Sequence, residues 1–353
     1  MPPSILVTGG AGYVGSHTVA TLLERDDNRY DIVVVDNLSN SYRSENEKKP
    51  EALRRIEDMT GSTIHFYAND IRDRAALNRI FENHEIECVI HFAALKAVGE
   101  SVEKPLEYYQ ANITGTCTLL EVMREHGVTQ LVYSSSCTVY GEPQKLPLDE
   151  GHPTGQGISS PYGRTKYFCE EIMKDLCASD QNWKVISLRY FNPVGAHGSG
   201  RIGEDPYGIP NNLMPFISQV AVGRLSELLV FGGDYPTADG SGVRDYIHVQ
   251  DLADGHVRAI QLFQDPRFVG FQPINLGTGT GYSVLQMVAA FEAASGCKIP
   301  HRVVGRRAGD IATNYADVSL ARQLLGWGAS RTVIDMCRDT WKWQSENPNG
   351  YKN

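Results

Sequence analysis

Six short apolar runs, rich in β-branched residues, alternate with longer helix-compatible stretches through the first half of the chain. They occupy residues 5–8, 32–35, 64–67, 88–93, 131–135 and 185–189. Runs that are apolar on both faces are typical of a parallel sheet covered by helices on both sides. The alternation therefore predicts an α/β fold with a doubly wound parallel sheet, in which ligands bind at the carboxyl ends of the strands.

A glycine-rich turn follows the first run. It reads Thr8-Gly9-Gly10-Ala11-Gly12-Tyr13-Val14-Gly15 and leads into an amphipathic helix. Glycines at 9, 12 and 15 allow a tight turn and a close approach of the backbone to a pyrophosphate at the helix N-terminus. Their spacing differs from the commonest dinucleotide motif, but their position between strand and helix favours a dinucleotide site on a Rossmann-type sheet.

An acidic residue ends the second run. Asp36 lies 21 residues after Gly15, where a carboxylate accepts hydrogen bonds from the adenosine ribose and repels a 2′-phosphate. The following Asn37-Leu38-Ser39-Asn40 adds no Arg or Lys, so the sequence predicts NAD as the cofactor in preference to NADP. Asp70-Ile71 and the segment from Phe92 to Lys96 follow the third and fourth runs, so we expect them at the same sheet edge.

Tyr162 and Lys166 are four residues apart in a predicted helix. Residues at this spacing share one helix face, so the ammonium group can lie beside the phenol and favour its ionised form. A phenol with an ordinary pKa of about 10 could then act as a base near neutrality. Ser136 ends the fifth run and can hydrogen-bond a substrate oxygen. Taken alone, the spacing of Tyr162 and Lys166 also fits a surface lysine beside a packed tyrosine. The serine at the end of the fifth run, taken alone, also fits an ordinary serine-rich turn.

Charge and cysteine usage exclude several classes of partner. Lys and Arg number 33 against 42 Asp and Glu, a net charge of −9, so a nucleic-acid-binding surface is not indicated. The seven cysteines are scattered, without Cys-x-x-Cys spacing, which predicts reduced thiols and no metal site. No apolar run approaches the ~18 residues of a membrane span, and no cleavable signal pattern opens the sequence. We expect a cytoplasmic chain with no membrane or nucleic-acid partner.

The βαβ alternation loosens after residue 190. Gly/Pro-rich loops occupy about 195–211 and 232–243, and helical stretches occupy about 212–223 and 250–264. We therefore expect an NAD-binding domain over residues 1–190 and a smaller α/β lobe for the substrate over 191–353. The boundary is approximate, because the chain could cross back to the sheet.

Together these motifs resemble the extended short-chain dehydrogenase/reductase superfamily, and within it the epimerases of nucleotide sugars. The resemblance runs from about residue 4 to Trp327. It is also carried by Lys96, Asn112-Ile113-Thr114-Gly115-Thr116, Tyr140-Gly141, Tyr190-Phe191-Asn192, Asn211-Asn212-Leu213 and Arg244-Asp245-Tyr246-Ile247-His248-Val249.

The resemblance implies roles for individual residues. Tyr162 would be the base, Lys166 its electrostatic partner and a ligand of the nicotinamide ribose, and Ser136 a hydrogen-bonding aid. The implied cofactor contacts are Gly9, Gly12, Tyr13, Val14, Gly15, Asp36, Asn37, Leu38, Ser39, Asn40, Asp70, Ile71, Phe92, Lys96, Asn112, Lys166, Tyr190 and Phe191. The implied substrate contacts are Ser136, Cys137, Thr138, Tyr162, Asn192, Asn211, Asn212, Leu213, Phe231, Arg244, Arg307, Asp310 and Asn314.

The implied reaction is reversible C4 epimerisation of a UDP-hexose, between UDP-galactose and UDP-glucose, through a 4-keto sugar and a retained NAD. Relatives that dehydrate or decarboxylate sugar nucleotides carry an acidic residue two positions before the element that corresponds to Val139-Tyr140-Gly141. In this sequence Cys137 and Thr138 precede that element, and neither has a carboxylate. Asn314 lies where the family varies between a bulky Tyr and small residues. Our hypothesis is that Asn314 leaves room for an N-acetyl group, so that UDP-GlcNAc and UDP-GalNAc are also substrates; the alternative is a loop Asn without a role in selectivity.

Other functions remain open at this point. A 4-epimerase of a UDP-pentose or UDP-uronate is the nearest alternative, followed by a nucleotide-sugar dehydratase or oxidoreductase. A catalytically silent NAD-binding protein would have no need for Ser136, Tyr162 and Lys166 together. The resemblance also implies a homodimer built on the helix that carries Tyr162, where Phe168, Ile172 and Met173 offer apolar contacts; core packing explains these three residues equally well.

Overall fold

The computed structural model describes residues 2–27, 29–307 and 309–352. Its strands, in chain order, are β1 (Ser4–Thr8), β2 (Asp31–Val35), β3 (Ile64–Tyr67), β4 (Ile86–His91), β5 (Gln130–Ser136), β6 (Lys184–Tyr190), β7 (Asn192–Val194), β8 (Leu228–Phe231), β9 (Val243–His248), β10 (Gly270–Leu276), β11 (Gly281–Ser283), β12 (His301–Val304) and β13 (Thr313–Asn314). Its α-helices are α1 (Tyr13–Leu23), α2 (Glu51–Thr60), α3 (Arg74–Asn83), α4 (Val98–Glu103), α5 (Pro105–Tyr108), α6 (Gly115–Glu125), α7 (Pro161–Ser179), α8 (Leu213–Ala221), α9 (Val249–Leu262), α10 (Val284–Ser295), α11 (Ser319–Leu325) and α12 (Val333–Glu346). A π-helical turn spans Tyr109–Thr114, and 3₁₀ turns span Cys137–Tyr140 and Gly350–Lys352.

The largest element is a seven-stranded sheet with the strand order β10-β6-β5-β4-β1-β2-β3. All of its neighbouring strands are parallel. The chain runs outward in both directions from β1, so the strand order reverses between β1 and β4. The predicted doubly wound sheet is thereby confirmed, and a crevice for ligands lies at this reversal.

Both faces of the sheet are buried, as the apolar runs predict. Successive side chains of a strand point to opposite faces. Accordingly, Ile5 and Val7 lie in one apolar cluster with Val19 of α1, while Leu6 lies in the other with Leu77 of α3. Helices α1 and α9 cover the first face, and α3, α6 and α7 cover the second.

A second lobe is built around a four-stranded sheet. Strand β9 lies between β11 and β13 and also pairs with β7, while β8 and β12 form a separate parallel pair. Side chains from α8, α10 and α12 form its apolar cluster, among them Ile217, Phe291 and Met336.

The chain then returns to the first lobe. Helix α9 packs on α1, and β10 pairs with the edge strand β6. Residues 249–276 therefore help to build the large sheet although they follow residue 190. In the part of the chain that the structure describes, no helix is long and apolar enough to cross a membrane.

Candidate active site

The glycine-rich turn after β1 contains two kinds of glycine. Gly9 has a φ of +69°, and a Cβ there would lie 2.7 Å from the backbone nitrogen of Ala93. A Cβ on Gly15 would lie 2.3 Å from the Gly9 carbonyl oxygen. Gly12 has an ordinary φ of −73°, and its nearest neighbour is the Gly9 carbonyl at 3.4 Å. The fold itself therefore does not require glycine at 12, and the missing side chain leaves open space at the N-terminus of α1, where an anion is favoured.

Two carboxylates order the loops after β2 and β3. Asp36 accepts hydrogen bonds from the backbone nitrogens of Ala11, at 3.1 Å, and Leu38, at 2.8 Å, and burial raises its pKa. It thus connects the glycine-rich turn to the neighbouring loop. Asp70 accepts a hydrogen bond from Asn37 at 3.0 Å, and hydrogen bonds from Arg72 hold its pKa well below the ordinary range.

We call the open space above these loops the first cleft; its volume, including the mouth, is about 1540 Å³. It extends from the glycine-rich turn to α7. Most of the predicted cofactor residues line it, together with several predicted substrate residues: Gly9, Gly12, Tyr13, Val14, Gly15, Asp36, Asn37, Ser39, Asn40, Asp70, Ile71, Phe92, Lys96, Ser136, Cys137, Thr138, Tyr162, Lys166, Tyr190, Phe191, Asn192 and Asn212. Lining residues that sequence reasoning missed include Ser41, Asn69, Ala111 and Pro193. Most are sequence neighbours of predicted residues, which was the available signal.

Leu38 and Asn112 are the predicted cofactor residues that do not line this cleft. The Asn112 amide is fully used within the protein: Oδ1 accepts from the Leu95 nitrogen at 2.8 Å, and Nδ2 donates to the Leu95 carbonyl at 3.0 Å and to Thr165 Oγ1 at 2.9 Å. Asn112 therefore connects the loop after β4 to α7, so that any action on a cofactor is indirect.

Tyr162 and Lys166 lie in the first two turns of α7. The helix begins with Ser160, whose hydroxyl accepts from the Gly163 nitrogen at 3.1 Å, and with Pro161 in its first turn. Burial raises the pKa of Tyr162 to about 12, and a hydrogen bond with Ser136 opposes this shift. The phenol is therefore protonated at neutral pH.

The side chain of Lys166 hydrogen-bonds to the end of β5 and not to the Tyr162 hydroxyl. Its Nζ donates to the Ser134 carbonyl at 2.6 Å and to Ser134 Oγ at 3.3 Å, and it lies 6.0 Å from the centre of the Tyr162 ring. Burial lowers the pKa of Lys166 to about 8. The long side chain thus reaches past the ring to the end of β5, and the expectation of an ionised phenol held by the ammonium stays a prediction.

An acidic residue joins the first cleft to the loop that follows β7. Lys96 Nζ donates to Glu204 Oε1 at 3.0 Å, and Asn212 Nδ2 donates to the same oxygen at 3.2 Å. The Tyr13 hydroxyl donates to the Gly195 carbonyl at 2.7 Å. The segment 195–212 therefore closes over the glycine-rich turn. Sequence reasoning did not single out Glu204.

A second cleft of about 1460 Å³, its mouth included, lies in the second lobe. Eight predicted substrate residues line it: Asn192, Asn211, Asn212, Leu213, Phe231, Arg244, Arg307 and Asp310. Tyr235, Tyr246 and Phe216 also line it and were not predicted. Because Asn192 and Asn212 line both clefts, the two form one continuous groove.

Two arginines give the second cleft its positive charge. Arg307 Nε donates to Asp310 Oδ2 at 3.1 Å, and its guanidinium lies 4.6 Å from the centre of the Phe231 ring. Arg244 Nη1 donates to the Val243 carbonyl at 2.8 Å. Guanidinium groups with donors to spare bind phosphate oxygens well.

Asn314 lies behind the groove and does not line either cleft. It is 6% exposed, its Nδ2 donates to Cys137 Sγ at 3.7 Å, and its Oδ1 has no hydrogen-bond partner. Cys137 itself lines the first cleft. Within the described ranges, no group of three or more His, Cys, Asp or Glu side chains could hold a metal ion, and the seven cysteines are free thiols.

The site can therefore hold an elongated ligand with an anionic part in each cleft. The Tyr162 hydroxyl, whose pKa burial raises, lies in the first cleft and hydrogen-bonds with Ser136, so proton transfer to or from a bound hydroxyl is possible there.

Residues 5–277 match the model of the NAD dependent epimerase/dehydratase family. The chain is 60% identical over 352 residues to the UDP-glucose 4-epimerase of Drosophila melanogaster, with 100% of this chain and 99% of that protein covered. It is 56% identical over 349 residues to the UDP-glucose 4-epimerase of Bacillus subtilis (strain 168), with 99% of each covered. It is also similar to the crystal structure of UDP-glucose 4-epimerase from Bifidobacterium longum in complex with NAD+ and UDP. The TM-score is 0.92 at 50% identity, with 98% of this chain and 99% of that chain covered.

Proposed function

The chain belongs to the NAD dependent epimerase/dehydratase family, and on that premise we propose that it interconverts UDP-galactose and UDP-glucose by reversible epimerisation at C4 with a retained NAD. The observation that carries this function is the position of Tyr162, Ser136 and Lys166 in the first cleft, close to Asn192 and Asn212, which also line the second. One hydroxyl group of a sugar held between the clefts would meet the phenol.

The first cleft fits NAD. The space beside Gly12 accepts a pyrophosphate at the start of α1, and Asp36 offers carboxylate oxygens to the adenosine ribose. Asn37, Ser39, Asn40, Asp70 and Ile71 would surround the adenosine, and Phe92, Lys96, Tyr190, Phe191 and Lys166 would surround the nicotinamide half. NAD, when bound, would supply a reversible hydride acceptor.

The second cleft fits the nucleotide of the substrate. Arg244 and Arg307 would bind the diphosphate, and Asp310 the uridine ribose, with Phe231 beside the base. Asn192, Asn211, Asn212 and Leu213 would contact the diphosphate and the sugar. Each of these residues lines the second cleft, which supports the assignment.

Tyr162 is the proton carrier in this proposal. It takes the proton of the sugar 4-hydroxyl while the C4 hydride leaves, which gives a 4-keto sugar, and it returns the proton when hydride comes back to the opposite face. No net oxidation results. Because burial raises the pKa of Tyr162 to about 12 in the protein without ligands, the phenol becomes an effective base only when positive charge is placed near it. Ser136 would hold the 4-oxygen and the phenol in line.

We also assign Asn314 to sugar selectivity. Its side chain is buried against Cys137, which lines the first cleft, and a residue smaller than Tyr at this position would leave room for an N-acetyl group, which supports turnover of UDP-GlcNAc and UDP-GalNAc. Neither Cys137 nor Thr138 provides a carboxylate for the loss of water, so epimerisation is favoured over dehydration.

A homodimer in the cytoplasm is part of the proposal. Leu106, Val102 and Phe168 are 74%, 62% and 40% exposed, on helices α5, α4 and α7, which pack together. Met173 is buried in the core, so Phe168 is the stronger candidate for a contact. Sedimentation of wild type and Phe168→Glu tests the dimer, since a charge in the interface would shift the equilibrium to monomer.

The decisive experiment incubates the purified protein with UDP-galactose, without added NAD, and follows UDP-glucose. We expect conversion, and we expect Tyr162→Phe to lower the rate by about 10²–10⁴-fold with an unchanged content of bound NAD. No conversion by protein that demonstrably holds NAD would reject the substrate; turnover of a UDP-pentose or UDP-uronate in parallel assays would then favour the nearest alternative.

A further inference from the structure

His256 of α9 lies directly behind two aromatic residues of the first cleft. It is fully buried, and its ring centre lies 4.8 Å from that of Phe92 and 5.3 Å from that of Tyr190. Phe92 and Tyr190 both line the cleft, whereas His256 does not. A residue from the returning part of the chain thus supports the inner wall of the cleft.

The hydrogen bonds of His256 define its tautomer. Nδ1 lies 2.8 Å from the Leu252 carbonyl, and a carbonyl can only accept, so Nδ1 carries the hydrogen. Nε2 is then an acceptor, and the Tyr190 hydroxyl, at 2.5 Å, must donate to it.

The chain of hydrogen bonds continues to the proposed active site. Burial raises the pKa of Tyr190 well above its ordinary value, and a hydrogen bond with Ser134 opposes this shift, as expected when the Ser134 hydroxyl donates to the phenol oxygen. Ser134 Oγ in turn accepts from Lys166 Nζ at 3.3 Å. All donors therefore point one way, from Lys166 through Ser134 and Tyr190 to His256.

We propose that His256 is a positioning residue for the epimerase reaction: by accepting the Tyr190 hydroxyl, it fixes the direction of this chain and keeps a lone pair of Ser134 turned toward Lys166. The inference rests on the proposed function. Without an acceptor at His256, the Tyr190 hydroxyl would turn toward Ser134, and the Ser134 hydrogen would then point at the lysine ammonium. Lys166 would lose one of its two hydrogen bonds to Ser134 and would be held beside the cofactor ribose by the bond to the Ser134 carbonyl alone.

His256 does not store the catalytic proton. Burial lowers its pKa to about 4, against about 8 for Lys166, so a proton favours the lysine by about 10⁴. The role of His256 is therefore orientation, which acts on the geometry of the reacting groups.

The test compares His256→Phe, which keeps a ring but removes the acceptor, with His256→Gln, whose Oε1 can take the place of Nε2. Val257→Ala is the matched control, because it removes buried volume from α9 without removing a polar group. Initial rates with UDP-galactose give kcat and KM, unfolding gives stability, and absorbance after denaturation gives the NAD bound per chain.

We expect His256→Phe to lower kcat about ten- to a hundredfold, with KM within about twofold and bound NAD unchanged, and we expect His256→Gln to recover most of the rate. Tyr190→Phe, which removes the other partner, should lower kcat similarly, and its effect should not add to that of His256→Phe.

Wild-type kcat in His256→Phe or in Tyr190→Phe would overturn the inference, as would an equal loss in the Phe and Gln variants or in Val257→Ala. Since wild type is assayed in parallel, its failure to convert UDP-galactose would instead reject the proposed function.

Discussion

Arg189 and Glu170 form a bidentate ion pair in the interior of the first lobe. Arg189 Nε donates to Oε1 at 3.0 Å and Nη2 donates to Oε2 at 2.6 Å, and the two side chains are 2% and 0% exposed. The hydroxyl of Ser135 also donates to Oε1, at 2.6 Å. Ser135 lies between Ser134 and Ser136, so this pair fixes α7 against the strand end that carries the proposed catalytic serine.

Glu170→Gln should therefore destabilise the protein strongly. It leaves the Arg189 guanidinium buried without a full negative partner, which costs about 3–5 kcal/mol of unfolding free energy. Urea denaturation measures the loss. Glu171→Gln is the matched control on the same helix: Glu171 pairs with Lys174 at the surface, where a lost pair costs less than about 1 kcal/mol. Similar losses in the two variants would contradict the prediction.

Lys166→Met should stabilise the nucleotide-free protein while abolishing activity. The lysine is 3% exposed, and burial lowers its pKa from 10.5 to about 8, so the buried ammonium opposes folding near neutrality. We expect the variant to be more stable by about 1–3 kcal/mol at pH 7.

The stability difference between Lys166→Met and wild type should depend on pH. Between about pH 8 and 10.5 the unfolded wild type binds more protons at residue 166 than the folded protein, so wild-type stability rises with pH through this window. The advantage of Lys166→Met should shrink over the same range. Denaturation of both proteins at pH 7 and pH 10 measures this difference in unfolding free energy. If Lys166→Met is less stable than wild type at pH 7 and the difference is the same at pH 10, the prediction is wrong.

Gly9→Ala should lower the stability of the protein, whereas Gly12→Ala should lower its content of bound NAD. At Gly9 the positive φ and the contact with Ala93 at 2.7 Å should lower the unfolding free energy by roughly 1–3 kcal/mol. At Gly12 the stability of the nucleotide-free protein should change by less than about 1 kcal/mol, but the added methyl occupies the pyrophosphate space, so bound NAD should fall. Denaturation and NAD content per chain separate the two effects. Full NAD content in Gly12→Ala would contradict the proposed cofactor position.

Arg307→Gln should weaken substrate binding. Loss of a charged hydrogen bond to phosphate corresponds to about 1.5–3 kcal/mol, or a rise in KM of roughly tenfold or more. Arg306→Gln is the neighbouring control, because Arg306 pairs with Asp234 at the surface and does not line the second cleft. Steady-state kinetics with UDP-galactose compare them, and equal KM values in the two variants would remove Arg307 from the binding site.

Asn314→Tyr should narrow the sugar end of the groove. A tyrosine cannot fit behind Cys137, where Asn314 is 6% exposed, without displacing groups into the cleft. We expect the ratio of activity on UDP-GlcNAc to activity on UDP-galactose to fall at least about tenfold, with Asn314→Ser close to wild type. An unchanged ratio in the tyrosine variant would end the selectivity hypothesis.

Most of the large sheet could be predicted because its strands carry a strong local signal. The six apolar runs coincide with β1 to β6, with ends that differ by two residues or fewer. Strand β10 escaped prediction since it contains Gly270 and Pro273 and buries only its last three residues, as an edge strand can. Its place in the sheet depends on pairing with β6, which no local pattern encodes.

Some residues of the candidate site could likewise be predicted from local sequence, and others could not. Residues that directly follow a strand, such as Asp36 and Phe92, could be expected in the cleft because parallel strands end at one edge. Glu204 and His256 could not, since each reaches the site from a distant part of the chain. Helical spacing placed Lys166 on the face of Tyr162, but it could not show that the flexible side chain prefers the Ser134 carbonyl.

The return of α9 and β10 to the first lobe has a consequence for biosynthesis. When residue 190 has left the ribosome, β6 is still an open sheet edge, and α1 lacks the helix that covers it. An open edge is a template for pairing with other chains. The nascent chain must therefore remain protected until residue 276 has emerged, and a fragment that stops at residue 190 should aggregate.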